Sequence, residues 1–313
     1  MTATLERPVR PDARRPVRRR RGRQGRLAAV LLLPAAVVVF GVVLYPVVRT
    51  GIVSFFEVNS ATPVTTPFVG LRNYHDIVDN HEFWATLERT LYFTIVSTGL
   101  ELSLGMGLAL LLNAPLRARW VFRAIVILPW ALPTVVNGAM WRGVLNAQYG
   151  SLNAALTQLH IIGSYHSWLG SPWGALNMVI LADVWKTTPL VAFFLLTGLQ
   201  SIPAEIYESA RVDGAGMVRM FRSITVPLLI PSISIVLILR TIDAFKVFDL
   251  VYVLTRGGPA NGTQTIAYFT YVQAFSDQRF GYGSALADVI VACILVLSAV
   301  YLRALRRTEM SLL

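Results

Sequence analysis

The polar side chains able to do chemistry lie inside apolar runs, and they cluster. Asp183, Trp185 and Lys186 interrupt one such run, and Arg240, Asp243, Lys246 and Asp249, with Phe245 and Phe248 among them, interrupt another. Trp130, Asn137 and Trp141 sit in a third. Donors, acceptors and aromatic faces held in an apolar setting suit recognition of a solute that offers hydrogen-bonding groups and an apolar face. They do not make a catalytic set. The only lysines, Lys186 and Lys246, follow no Gly-rich loop, so there is no Walker-type phosphate cradle. His75, His81, His160 and His166 fall in expected loops without metal-ligand spacing, and read as solvated residues; no metal site and no bound cofactor are expected. The plainer alternative for each aromatic is a membrane anchor or packing residue. For Arg240, Lys246 and Asp249 it is a structural ion-pair ladder through Asp243, with successive charges three residues apart.

A second polar stretch, residues 200–227, lies between long apolar runs and is therefore a loop held at a membrane surface. Pro203 suits a first helical turn, Glu205 and Glu208 favour a helix N-terminus, and Gly214 ends a helix in the left-handed conformation. A second short helix is expected from about Met217 to Ile224, leading to Pro227. Two short helices joined at Asp213-Gly214 make a stiff knuckle able to transmit force.

These groups must be carried by membrane helices. The chain has 313 residues, 55% of them hydrophobic and only 14% charged, which excludes an ordinary soluble domain. The formal net charge of +11 does not signal nucleic-acid binding. Ten of the 28 basic residues fall between Arg7 and Arg26, directly before an apolar run, where they set membrane orientation. Residues 1–26 are expected to be a disordered basic cytoplasmic tail. The lone Cys293 can form no intrachain disulfide.

Six transmembrane helices are expected, over about 27–48, 90–112, 121–145, 174–199, 227–254 and 284–305, giving an all-α polytopic fold with both termini inside. The first covers about 33 Å at 1.5 Å per residue, enough to cross roughly 30 Å of hydrocarbon. Glu101 lies inside the second, where Gly99, Gly105 and Gly107 allow close packing. Pro129 and Pro133 should bend the third. The region from Gly143 to Trp185 carries no Lys or Arg, and its loop belongs outside. The fifth is short of charge-free length, and the terminal Arg303, Arg306 and Arg307 require it to cross. Facing lipid, Arg240 and Asp243 would cost about 5 to 7 kcal/mol, so they should face the interior.

Glu208, Ala210, Asp213-Gly214-Ala215, Phe221, Ile224 and Pro227, in that spacing, resemble the cytoplasmic coupling loop of binding-protein-dependent ABC import permeases. Ser209 stands where that family usually has Ala. Phe68 to Tyr74 and Tyr149 to Asn153 resemble further family segments. Leu254-Thr-Arg-Gly-Gly-Pro259 resembles a signature of one of the two permeases in carbohydrate importers, with Arg256 in place of a usual Gly. Trp185 to Pro189 and Leu239 to Phe245 look like the corresponding pieces of mycobacterial trehalose-type permeases.

The resemblance implies a type I ABC importer permease, with residues 27–313 as the permease domain and 200–227 as its coupling loop. It implies a bacterial inner-membrane location, a second related permease, two copies of an ATPase that binds the ATP and Mg, an extracytoplasmic solute-binding protein and a sugar substrate. Glu208, Ala210, Asp213, Gly214, Ala215 and Phe221 would couple to the ATPase. Trp130, Asn137, Trp141, Asp183, Trp185, Asp243, Phe245 and Phe248 are the expected pathway contacts. An ion-gradient-driven secondary transporter is the alternative, since it too uses intramembrane acids and broken helices. A membrane enzyme would need a paired acid/base or metal set, which the sequence lacks.

Overall fold

The computed structural model describes residues 21–59, 66–115 and 117–311. Every described long element is helical, and the chain divides into two compact units, residues 1–50 and 51–313. The first holds α1 (Arg21–Val38), a π-helical turn (Val39–Leu44) and most of α2 (Tyr45–Val53), whose last residues fall past residue 50. The helix thus begins six residues before the expected start, because extending a formed helix into adjacent Arg-rich sequence costs little. Of the expected disordered tail, residues 1–20 lie outside the described residues and 21–26 are helical.

The second unit holds α3 (Arg72–Asp79), α4 (His81–Asn113), α5 (Arg119–Ala131), α6 (Thr134–Val144), α7 (Ser151–Gln158), α8 (Pro172–Gln200) and α9 (Ala204–Val212). It continues with α10 (Met217–Met220), α11 (Val226–Phe245), α12 (Asp249–Leu254), α13 (Ile266–Tyr271) and α14 (Phe280–Ser311). Among the described residues five helices are long and apolar enough to cross a membrane, and the pair α5 and α6, bent by 90°, counts as a sixth when taken as one broken span.

Several boundaries differ from those read in the sequence. The second span begins at His81 rather than residue 90, because the Asn80 side chain accepts the Glu82 N–H at 2.9 Å and caps the helix. The third is two helices. Pro129 stays inside α5, while Leu132 before Pro133 adopts extended backbone and ends the run. The fifth stops at Phe245, and Asp249 belongs to a separate short helix. The last runs Phe280–Ser311.

Helices α4 and α8 pack closely because Gly105 faces Val191, where a Cβ would come within 2.7 Å of a Val191 methyl. Gly99 and Gly107 meet nothing within 4 Å and play no such part. Gly138 gives α6 the same intimacy with Val253 of α12, and Gly198 gives it to α8 against Leu229 and Ser232 of α11. The inner face of α4 is a row of buried hydroxyls. Thr90 donates to the Thr86 carbonyl and accepts from the Ile266 N–H at 2.8 Å, so α13 is tied to α4 by a side chain. Tyr74 of α3 hydrogen-bonds Asp288 of α14 at 2.9 Å and Ser54 at 2.7 Å. Burial raises the Tyr74 phenol above its ordinary value, the Ser54 bond opposes this, and Asp288 adds to it.

Candidate functional site

Two sites emerge, one between the helices and one at the 200–225 turn. The first centres on Arg240, which would be costly to bury unpaired. Its Nε donates to Glu101 at 2.6 Å and its Nη2 donates to Glu101 at 2.8 Å and to Asp183 at 3.0 Å. Glu101 is fully buried on α4 and Asp183 lies on α8, so the guanidinium joins three helices through one planar fork. The expected ladder along α11 is therefore only half present. Asp243 and Lys246 do pair, at 3.1 Å, but Arg240 turns to other helices. Asp249 has no ion pair among the described residues, since the break after Phe245 interrupts the helical spacing.

Beside the triad opens a cavity of about 320 Å³, lined by Trp130, Asp183, Lys186, Asp243, Phe248 and Asp249 among others. Lys186 donates to Thr134 Oγ1 at 3.1 Å. The cavity combines cationic donors, carboxylate acceptors and two aromatic faces, which is the chemistry needed to hold a hydroxyl-rich ring. Of the eight expected pathway residues, Trp130, Asp183, Asp243 and Phe248 come together here. Asn137 is buried on α6, where its Nδ2 donates to the Ala182 carbonyl at 3.3 Å. Trp141 packs edge-on against Trp185, which lines a separate apolar groove with Leu104, Leu111 and Val126. Phe245 is core, packed with Ile266, Phe269 and Leu286. Sequence reasoning missed Glu101 as the partner of Arg240 and Thr134 as a lining residue, and left Lys186 out of the expected pathway set. The available signal was a carboxylate in mid-span, which requires a cationic partner.

At the second site α9 begins after Pro203, which serves as its N-cap, just ahead of the first turn that the sequence suggests for it. It ends in a Schellman turn. Gly214 has φ +77°, its N–H donates to the Arg211 carbonyl at 3.0 Å, and the Ala215 N–H donates to the Ala210 carbonyl at 2.9 Å. The expected second short helix is not separate. α10 passes through a π-helical turn (Phe221–Thr225) straight into α11, so the far arm of the knuckle is the start of a membrane-length helix, Met217–Phe245. Tyr207 and Thr225 hydroxyls meet at 3.0 Å and tie the arms together. Ala210, Asp213 and Ala215 border a recess with Arg219, and Glu208 is exposed. Val212 and Met217 are 89% and 83% exposed, large apolar side chains left without cover at the tip.

Comparison with known proteins decides the kind of molecule. The family described as "Binding-protein-dependent transport system inner membrane component" matches residues 101–309. The chain belongs to this family. The permease is 42% identical over 281 residues to the trehalose/maltose transport system permease protein MalF of Thermococcus litoralis, covering 90% of this chain and 94% of that protein. It is 41% identical over 283 residues to the sulfoquinovosyl glycerol transport system permease protein SmoG of Agrobacterium fabrum, covering 90% and 91%. It is 34% identical over 278 residues to the trehalose transport system permease protein SugA of Mycobacterium tuberculosis, covering 89% and 88%. A crystal structure of a bacterial ABC transporter involved in import of the acidic polysaccharide alginate shares the permease's fold, with TM-score 0.80 at 21% identity over 91% of this chain and 96% of that one. The permease is thus a multi-pass inner-membrane component of a binding-protein-dependent ABC transporter, the transmembrane and not the hydrolysing part.

Proposed function

We propose that this permease is one of two related permease subunits of an ATP-driven importer of a di- or oligosaccharide, delivered by an extracytoplasmic binding protein. The observation that carries the reading is the cavity, where Asp183, Lys186 and Asp243 stand beside Trp130 and Phe248. Sugars present hydroxyls to the former and a ring face to the latter. The transport names of the relatives, trehalose/maltose among them, support the substrate class.

The knuckle supplies the coupling. A dimer of ATPase subunits, which holds the ATP and Mg, receives the exposed tip around Val212 and Met217, with Glu208, Ala210, Asp213, Gly214, Ala215 and Phe221 fixing its shape. Because α10 runs unbroken into α11, a push on the tip moves Arg240 and Asp243 as part of one rod, and the cavity alternates between the two faces. Residues 27–313 act as the permease domain, residues 1–26 as a cytoplasmic tail, and both termini lie inside, consistent with the Arg-rich ends.

The test is uptake of labelled trehalose and maltose by proteoliposomes holding the co-purified complex and its binding protein. Uptake that requires ATP inside and persists with ionophores present is the expected result. Uptake abolished by ionophores without any ATP requirement would support an ion-gradient transporter instead.

A further inference from the structure

The aromatic side chains on and around α12 and α13 form a row that starts at the cavity. Phe248, whose ring lines the cavity, starts a continuous series of aromatic contacts. Its ring centroid lies 5.1 Å from that of Tyr271, Tyr271 lies 5.4 Å from Phe275, and Phe275 lies 5.8 Å from Phe280. Tyr252 flanks the first step, 5.5 Å from Phe248 and 5.6 Å from Tyr271. Tyr268 backs the series from the core, with its ring nearly parallel to that of Phe248.

The series has a direction. Phe248 lies at the break that ends α11, and Phe280 opens the span of α14. That end of α14 is opposite the 200–225 turn, because α11 starts at the turn and α14 returns towards that side. Asp277, Gln278 and Arg279 at this end are exposed polar residues, as expected at a water-facing surface. The row thus runs from the exposed polar end of α14 to Phe248 at the cavity.

Packing alone would bury such rings, yet Tyr252 is 43% and Phe275 62% exposed. Lipid contact alone does not account for their chemistry either. Elsewhere in the unit the exposed apolar groups are mixed, aliphatic such as Ile95, Leu104, Leu295 and Val296 together with aromatics such as Trp84 and Trp120, whereas here the rings follow one another in contact and include the phenol hydroxyls of Tyr252 and Tyr271. Flat π faces with adjacent hydroxyls match the surface of a pyranose, which has apolar C–H faces and a polar rim.

We propose that Phe248, Tyr252, Tyr271 and Phe275 form a stacking track that passes pyranose rings from the water-facing end into the cavity. This rests on the sugar reading above and assigns it an entry path. Successive rungs a few ångströms apart allow a ring to engage the next face before leaving the last, so the solute never loses all of its partners.

The test exchanges aromatic for aliphatic side chains of similar bulk, in the whole complex in proteoliposomes, with trehalose and maltose as probes. Tyr271→Phe and Phe275→Tyr keep a π face, and Tyr271→Leu and Phe275→Leu remove it. The track predicts that the leucine variants assemble at the wild-type level but show a KM for loaded binding protein raised about tenfold per position, the loss expected of one stacking partner, while the aromatic exchanges stay within about twofold. Leucine variants with wild-type KM would overturn it. Leucine variants that fail to assemble, where the aromatic exchanges assemble, would overturn it in favour of a subunit contact. Wild-type complex that takes up neither these nor any other di- or oligosaccharide would contradict the sugar reading itself, whereas sugar uptake with unchanged KM in the leucine variants overturns the track alone.

Discussion

Glu101 and Arg240, 139 residues apart in the chain, meet in two parallel hydrogen bonds of 2.6 and 2.8 Å inside the helical unit. The pair joins α4 to the rod that begins at the knuckle, and Asp183 adds α8. Removing one partner strands a charge. Arg240→Ala should cost about 3–5 kcal/mol, read as lost complex abundance and a lower unfolding temperature in detergent. The double variant Glu101→Gln/Arg240→Met removes both charges and should recover most of the abundance. Equal abundance of Arg240→Ala and wild type would show that the pair bears no structural weight.

The Asp243–Lys246 pair behaves differently, because both side chains are more than half exposed, at 53% and 55%. Such a pair contributes no more than about 1 kcal/mol. Asp243→Ala should therefore leave assembly intact and act on transport, raising KM about tenfold through loss of a charged acceptor in the cavity. Parallel loss of assembly and uptake would instead give Asp243 a structural role.

Gly214→Val forces a β-branched residue to φ +77°, at a cost of about 1–2 kcal/mol. No atom of the described residues lies within 4 Å of the added Cβ, so within this subunit the strain falls on the backbone turn. The complex should assemble and hydrolyse ATP while uptake falls sharply, and Gly214→Asn, which tolerates this conformation, should be milder. Wild-type uptake by the valine variant would remove the knuckle from the mechanism.

Glycine positions along α4 should divide cleanly. Gly105→Val drives a side chain into Val191 and should destabilise by about 1–3 kcal/mol, whereas Gly99→Ala and Gly107→Ala should be tolerated, as thermal unfolding of the purified protein would record.

How much of this was legible in the sequence depends on range. The first arm and the turn of the knuckle were, because the acidic residues of α9 and Gly214 encode local backbone geometry, and so was the all-helical, multi-span architecture, because hydropathy acts over whole helices; the far arm was not, since α10 runs on into α11. Pro129 and Pro133 announced a bend, but only the residue before Pro133 took the extended conformation that breaks the chain. The partner of Arg240 was not legible, since nothing near residue 240 points to residue 101. Nor was the end of α11, where Lys246-Val247-Phe248 contains neither Gly nor Pro and tertiary contacts decide, Thr265 donating to the Val247 carbonyl at 2.8 Å. Phe245 and Phe248 are alike in type and near in sequence, yet one is core and the other lines the cavity. That split follows from the same break.

Coupling requires the exposed tip of the knuckle to engage a nucleotide-hydrolysing subunit. Its most direct measurement is crosslinking from Met217→Cys, in a Cys293→Ser background, in membranes that hold the assembled transporter. A crosslinked product containing the ATPase subunit, formed with the tip shielded from an impermeant thiol reagent added outside, is the predicted result. Labelling from outside, or crosslinks that never include the ATPase, would contradict it.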